Sequence, residues 1–252
     1  MTIYQTLEKL AQMKLSGILA ALQEQRASTE VQELSFDERF SMLIDREDLE
    51  RRNRAYSARM RRANLKFPTA CFEEIDYQNP RGFDKGQILS FASCDWVERH
   101  QNIIFTGPSG IGKDYLACAI SQRACMMGYS ATYLRVPRLE EIIRSARAEG
   151  SFEPLLNSIA KHDILILDDF GLAPMTDELR RDFMEIIDDR YNKRSTIITA
   201  QLPVEKWHEM IGNPTIADAI MDRLVHNAHR IALKGPSERK RRSVLVEKST
   251  IN

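Results

Sequence analysis

The chain has 252 residues, 43% of them hydrophobic, with 36 basic and 36 acidic side chains in balance. That length suits one large domain, or a small domain joined to a medium one. No apolar run approaches the ~18 residues of a membrane span. The charged N-terminus lacks a secretory core, and Cys71, Cys94, Cys118 and Cys125 are scattered as free thiols are in a reducing compartment. The expectation is a cytoplasmic protein with no membrane partner.

In chain order, residues 3 to 27 read as one helix, with Leu7, Leu10, Ala11, Ile18 and Leu22 on one stripe. A second helix opens at Ser35, where Ser35 and Glu38 form a capping box. It is expected to run to about Asn64. Residues 51 to 66 hold seven Arg or Lys and no acid. Helical spacing puts Arg51, Arg52, Arg59, Arg62 and Lys66 on one face, with Leu49, Tyr56, Met60 and Ala63 on another. The cationic face is either a sequence-independent phosphate contact or a solvated helix face. Residues 1 to 66 therefore read as a small helical DNA-binding or assembly domain.

Beyond residue 66 the pattern changes. Residues 67 to 233 hold 18 basic and 24 acidic residues, a net of −6. A connector with a short strand (67 to 86) precedes a helix at 87 to 99. Strands are expected at 102–107, 130–136, 163–169, 195–201 and 229–235. Helices are expected at 113–127, 138–148, 152–161, 177–193 and 214–227. Such alternation makes an α/β fold, a parallel sheet covered by helices on both faces. This domain is expected to span 67 to 240. Residues 234 to 243 are again basic, five cations against one acid, and 241 to 252 read as a flexible tail.

Gly107-Pro108-Ser109-Gly110-Ile111-Gly112-Lys113 spells G-x-x-x-x-G-K between a strand and a helix. Glycines let the backbone N–H groups curl around phosphate oxygens, the helix N-terminus adds partial positive charge, and Lys113 reaches the β and γ phosphates. Asp114 and Tyr115 follow. Position 114 ordinarily carries Ser or Thr, whose hydroxyl holds Mg²⁺. Ile164-Leu165-Ile166-Leu167-Asp168-Asp169 is the second half of the constellation. Four apolar residues deliver two carboxylates at the strand end where α/β sheets bind ligands. Asp168 is the candidate Mg²⁺ ligand, and Asp169 the candidate for polarising an attacking water. Thr199 and Gln201 close a strand, either as γ-phosphate sensors or as ordinary polar ends. Arg223 is a candidate trans-acting arginine finger or a surface ion pair, with Arg230 and Arg239 behind it. The five histidines show no metal-ligand spacing.

A helical N-terminal domain followed by GPSGIGKDYLACAI, ILILDDFGLAPM, STIITAQLP, ADAIMDRLVHNAHRIALKG and then Ser237-x-Arg239 resembles the IstB-like helper ATPases of IS21-type insertion sequences. That family is an AAA+ branch close to the bacterial helicase loaders and the initiator DnaA. The likeness spans essentially the whole chain. It implies ATP and Mg²⁺ as cofactors, oligomeric assembly on DNA, and recruitment or stimulation of a transposase encoded by the same element. It also implies an AAA+ core without a substantial C-terminal lid. It assigns Lys113 to phosphate, Asp168 to Mg²⁺, Asp169 to water activation, Arg223 to the trans contact and Thr199 to Gln201 to sensor 1. Ala200 stands where Ser is common, and Asp114 where Ser or Thr is. Asp114 is then either a direct metal ligand or an anion that repels the phosphates. The alternatives are a helicase-loader-like protein and a hydrolysis-impaired nucleotide-binding DNA scaffold.

Overall fold

The computed structural model describes residues 2–79 and 81–238. The expected tail at 241 to 252 and the candidate Arg239 lie outside them. Contacts within the chain divide it into two units, Met1–Ala58 and Arg59–Asn252.

The first unit is helical: α1 (Ile3–Gln12), α2 (Ser16–Ala27), α3 (Thr29–Gln32) and most of α4 (Phe36–Ala63). The single helix expected over 3 to 27 is two, because Lys14 takes a left-handed φ of 59°. The break lets Glu47 Oε2 accept from the orphan N–H groups of Gly17 (2.8 Å) and Ile18 (3.2 Å) at the start of α2. A side chain at Gly17 would collide with the Glu47 backbone at 2.6 Å, so the helix crossing requires glycine there. The capping box at α4 forms as expected: Glu38 N donates to Ser35 Oγ (3.3 Å), and Ser35 N donates to Glu38 Oε2 (2.9 Å).

The second unit is a five-stranded parallel sheet: β1 (Asn102–Thr106), β2 (Ala131–Arg135), β3 (Ile164–Phe170), β4 (Ser195–Ala200) and β5 (Ala228–Ala232), in the order β2-β3-β4-β1-β5. β1 is buried throughout, as a parallel strand covered on both faces must be. One face packs Ile104, Leu165, Leu167 and Ile198 against α8 (Val136–Ala148), α9 (Phe152–Lys161), α10 (Asp177–Arg190), α11 (Trp207–Ile211) and α12 (Pro214–Val225). The other face meets α7 (Lys113–Met127), whose Leu116, Ala117 and Ile120 are fully buried.

Two departures from the expected elements have local causes. The helix expected at 87 to 99 is interrupted: α5 (Lys85–Ser90) and α6 (Asp95–Glu98) flank Cys94, whose φ of 66° is left-handed. Among the described residues of the connector at 67 to 86, a 3₁₀ turn, Phe72–Glu74, stands in place of the expected strand. Among the described residues no helix is long and apolar enough to cross a membrane.

Candidate nucleotide-binding site

The loop 107–113 leaves β1 at the C-terminal edge of the sheet and opens α7. Gly107 N donates to Ala200 O (3.2 Å) and Leu233 N to Thr106 O (2.7 Å), so the neighbouring strands hold the loop's root. Gly107, Gly110 and Gly112 have φ of 141°, 80° and 101°. A side chain on Gly107 would strike the Leu233 carbonyl, so the root tolerates only glycine. Lys113 is buried, its Nζ donating to Gly107 O (2.8 Å) and Pro108 O (2.9 Å). The ammonium is thereby folded back over the loop it would serve. Glu238 N donates to Gly110 O (2.9 Å), and Glu238 Oε1 accepts from Asn79 (2.7 Å). The segment after Gly235 thus returns to the loop, next to Ser237.

Beside the loop lies a cavity of about 360 Å³, lined by Phe67, Ile75, Arg81, Gly110, Gly112 and Tyr115 among others. The Phe67 and Tyr115 rings lie 5.9 Å apart. Tyr115 donates to Glu74 Oε2 (2.7 Å), and burial together with that carboxylate pushes its phenol up to about 12. Arg81 donates to Asp76 O (2.7 Å) and approaches Ile111 O (3.4 Å), tying the connector to the loop. The lining combines the two aromatic rings and Ile75 with four carboxylates, Glu74, Asp76, Asp114 and Glu238, beside the glycine loop.

Asp168 and Asp169 sit at the end of β3, where the pairing with β4 shifts register between Leu167 and Phe170. Asp169 takes a φ of 60° there. Asp tolerates the left-handed region better than most residues, and the shift turns the two carboxylates into different directions. Asp168 is completely buried. Its Oδ1 accepts from Thr199 Oγ1 (2.6 Å), and its Oδ2 accepts from the Tyr133 hydroxyl and approaches Lys66 Nζ (3.4 Å). Burial alone would raise this carboxyl. The Thr199 and Tyr133 hydrogen bonds and the Lys66 charge outweigh it and hold the group below its ordinary value. Burial and the same carboxylate push the Tyr133 phenol up. Asp169 Oδ2 accepts from Arg135 Nη2 (2.7 Å), and Asp169 N donates to Thr199 Oγ1 (3.1 Å). Thr199 therefore bridges the Asp168 carboxylate and the Asp169 backbone N–H, while Gln201 is exposed beyond the end of β4.

Asp114, on the first turn of α7, ion-pairs with Lys66. Asp114 and Asp168 thus converge on one ammonium. Two carboxylates already gathered about a single positive charge form an oxygen donor set suited to a hard divalent cation, so the residues fit Mg²⁺.

The remaining candidates are placed differently. Lys66 lies beyond the end of α4 and points into the carboxylate cluster. Arg51 and Arg52 pair with Glu47 and Asp48 at 2.7 Å each, acids one turn upstream of the cationic run. Arg59 donates to Cys125 O (2.8 Å) and is half-buried, while Arg62 is exposed. Arg223 is held by Asp188 (2.6 Å) on α10, and its backbone O accepts from Asn102 at the start of β1. That is the opposite end of β1 from the loop, roughly 15 Å along the strand. Arg223 is thus out of reach of its own phosphate loop. Arg230 is exposed on β5. Among the described residues no His, Cys, Asp and Glu cluster resembles a metal site of its own.

Three site residues are absent from the sequence reading: Tyr133, Arg135 and the cavity ring Phe67. Alternation along β2 puts Tyr133 and Arg135 on one face, and β2–β3 register sets Arg135 opposite Asp168. Only the strand order makes that pairing visible.

Residues 8–246 match the family of IstB-like ATP binding proteins of the IS21 type. The chain belongs to this family. It is 45% identical over 240 residues to the insertion sequence ATP-binding protein y4pL of Sinorhizobium fredii, covering 95% of this chain and 98% of that one. The DnaC helicase loader superposes with a TM-score of 0.55 at 22% identity, over 66% of this chain and 97% of the loader. The replication initiator DnaA, in a structure bound to AMPPCP and single-stranded DNA, gives 0.57 at 16% identity, over 73% of this chain and 56% of the initiator. Family and AAA+ fold are therefore those expected from the motifs.

Proposed function

We propose that this IstB-like protein binds ATP with Mg²⁺ and hydrolyses it, and that it uses the nucleotide cycle to assemble on double-stranded DNA and stimulate the transposase of its own element. The observation that carries the reading is the convergence of the loop 107–113, Asp114, Asp168 and Asp169 at one edge of the sheet. Residues 107–112 and the first N–H groups of α7 cradle the phosphates, and Lys113 swings from the Gly107 and Pro108 carbonyls to meet them. Asp168 and Asp114 would hold the metal, which would supply positive charge to offset that of the phosphates. Asp169, fixed by Arg135 and Thr199, accepts a hydrogen bond from the attacking water. Arg223, remote from its own loop, serves the site of a neighbouring copy in a homo-oligomer.

On α4, Arg51, Arg52 and Arg62 remain the DNA-contacting candidates. The ion pairs of Arg51 with Glu47 and of Arg52 with Asp48 are exposed at the arginine end, weak enough to exchange for phosphate. The helicase-loader alternative has only the shared fold behind it, at 22% identity.

The test is ATP turnover with Mg²⁺, with and without duplex DNA, for the wild-type chain and Lys113→Ala. Turnover that rises with DNA and vanishes in Lys113→Ala supports the reading. Tight ATP binding with no turnover under any condition replaces it with the hydrolysis-impaired scaffold.

A further inference from the structure

Asp114 places an anion where this loop ordinarily carries a neutral hydroxyl, and the structure pairs that anion with a cation from elsewhere in the chain. Lys66 Nζ is ion-paired with Asp114 Oδ2 and lies 3.4 Å from Asp168 Oδ2. Its position is set by its neighbours. Asn64 turns the chain out of α4 with a φ of 48°, Leu65 is buried, and Phe67 rests on Tyr115. The side chain between those two anchors enters the cluster with 29% of its surface exposed, Asp114 with 16% and Asp168 with none. Arg135 Nη2 pairs with Asp169 at 2.7 Å, and its Nε lies 3.9 Å from Asp168 Oδ2. Lys113 reaches the loop carbonyls. Lys66 Nζ thus lies within ion-pair distance of both Asp114 and Asp168.

We propose that Lys66 and Asp114 form a compensated pair, in which the Lys66 ammonium and a divalent cation compete for the same two carboxylates, so that Lys66 sets how strongly nucleotide binding depends on metal. The proposal rests on reading the loop 107–113 as a Mg²⁺–nucleotide site. Its physics is charge balance. Replacing a hydroxyl by Asp114 adds one negative charge beside the phosphates, and Lys66 returns one positive charge. With Lys66 in place, nucleotide meets a neutralised wall even without metal. When metal enters, its higher charge and preference for oxygen ligands displace the ammonium, which carries a single charge and only hydrogen-bond donors. The flexible four-carbon stem lets Lys66 swing aside and meet a phosphate oxygen.

The experiment uses the full chain, Lys66→Met, Lys66→Gln and Lys66→Met/Asp114→Thr. Mn²⁺ binding without nucleotide is followed by electron paramagnetic resonance. The affinity for a fluorescent ATP analogue is measured in Mg²⁺ and in EDTA. Removal of Lys66 is expected to tighten Mn²⁺ binding at least tenfold. It is also expected to widen the EDTA-to-Mg²⁺ ratio of nucleotide Kd at least tenfold, and the double variant returns that ratio to near wild type. If either Lys66 variant lowers thermal stability while Mn²⁺ affinity and the ratio stay at wild-type values, Lys66 is a structural ion pair and the proposal falls. If the wild-type chain binds no nucleotide in either medium, the loop reading falls and takes the proposal with it. Unchanged ratios with intact nucleotide binding remove the Lys66 proposal alone.

Discussion

Replacing Thr199 by Val tests whether one hydroxyl holds both the Asp168 carboxylate and the Asp169 backbone in place. The two side chains are nearly isosteric, so packing changes little, but Val removes two hydrogen bonds at a position only 1% exposed. One is the 2.6 Å bond to Asp168 Oδ1, a carboxylate with no solvent exposure. Hydrogen bonds to charged groups contribute about 1.5–3 kcal/mol. The other is the 3.1 Å bond accepted from Asp169 N, and a stranded buried N–H costs about 1–3 kcal/mol. Asp169 is only partly buried, so water recovers some of the second term. The sum is about 2–4 kcal/mol. For a unit of this size each kcal/mol lowers the melting temperature by about 2–4 °C. Thr199→Val should therefore melt about 4–16 °C below wild type, and Thr199→Ser, which keeps the hydroxyl, within a few degrees. The assay is thermal unfolding by circular dichroism at pH 7.5 in low salt. A Thr199→Val protein melting with wild type would refute the bridging role.

Arg223→Ala removes an ion pair whose Asp188 side chain is 57% exposed, so stability should change by less than ~1 kcal/mol. As a trans contact its loss should lower turnover by roughly 10³-fold with ATP affinity retained. Mixing it with Lys113→Ala, which supplies an intact Arg223, should restore part of the rate, and wild-type turnover by Arg223→Ala alone would remove the role. Burial pushes the Cys94, Cys118 and Cys125 thiols up to about 11, leaving roughly one thiolate in 10³ at pH 8. Cys71, partly exposed, should alkylate first with iodoacetamide. Labelling of the three buried thiols should rise about tenfold per pH unit from 8 towards 11 while the fold holds. Equal labelling of all four at pH 8, read by mass spectrometry, would contradict their burial.

Patterns that act over a few residues were legible in the chain itself. The Ser35–Glu38 cap, the glycine loop opening α7 and the apolar run ending in Asp168-Asp169 each depend on neighbours within one turn or strand, so spacing suffices to read them. The five strands and the family likeness followed from the same local signals. Helix breaks were hidden, because Lys14 and Cys94 adopt left-handed backbone although neither is a residue type that marks a break in sequence. The surroundings of Lys66 were hidden too. Helical periodicity extends Lys66 onto the face of Arg51 and Arg52, yet α4 stops at Ala63 and the next residues turn inward. Whether an ammonium meets DNA phosphate or the carboxylates of Asp114 and Asp168 is a question of charges 48 and 102 positions away. Folding alone brings those charges within a few ångströms, where the buried Asp168 needs positive charge close by.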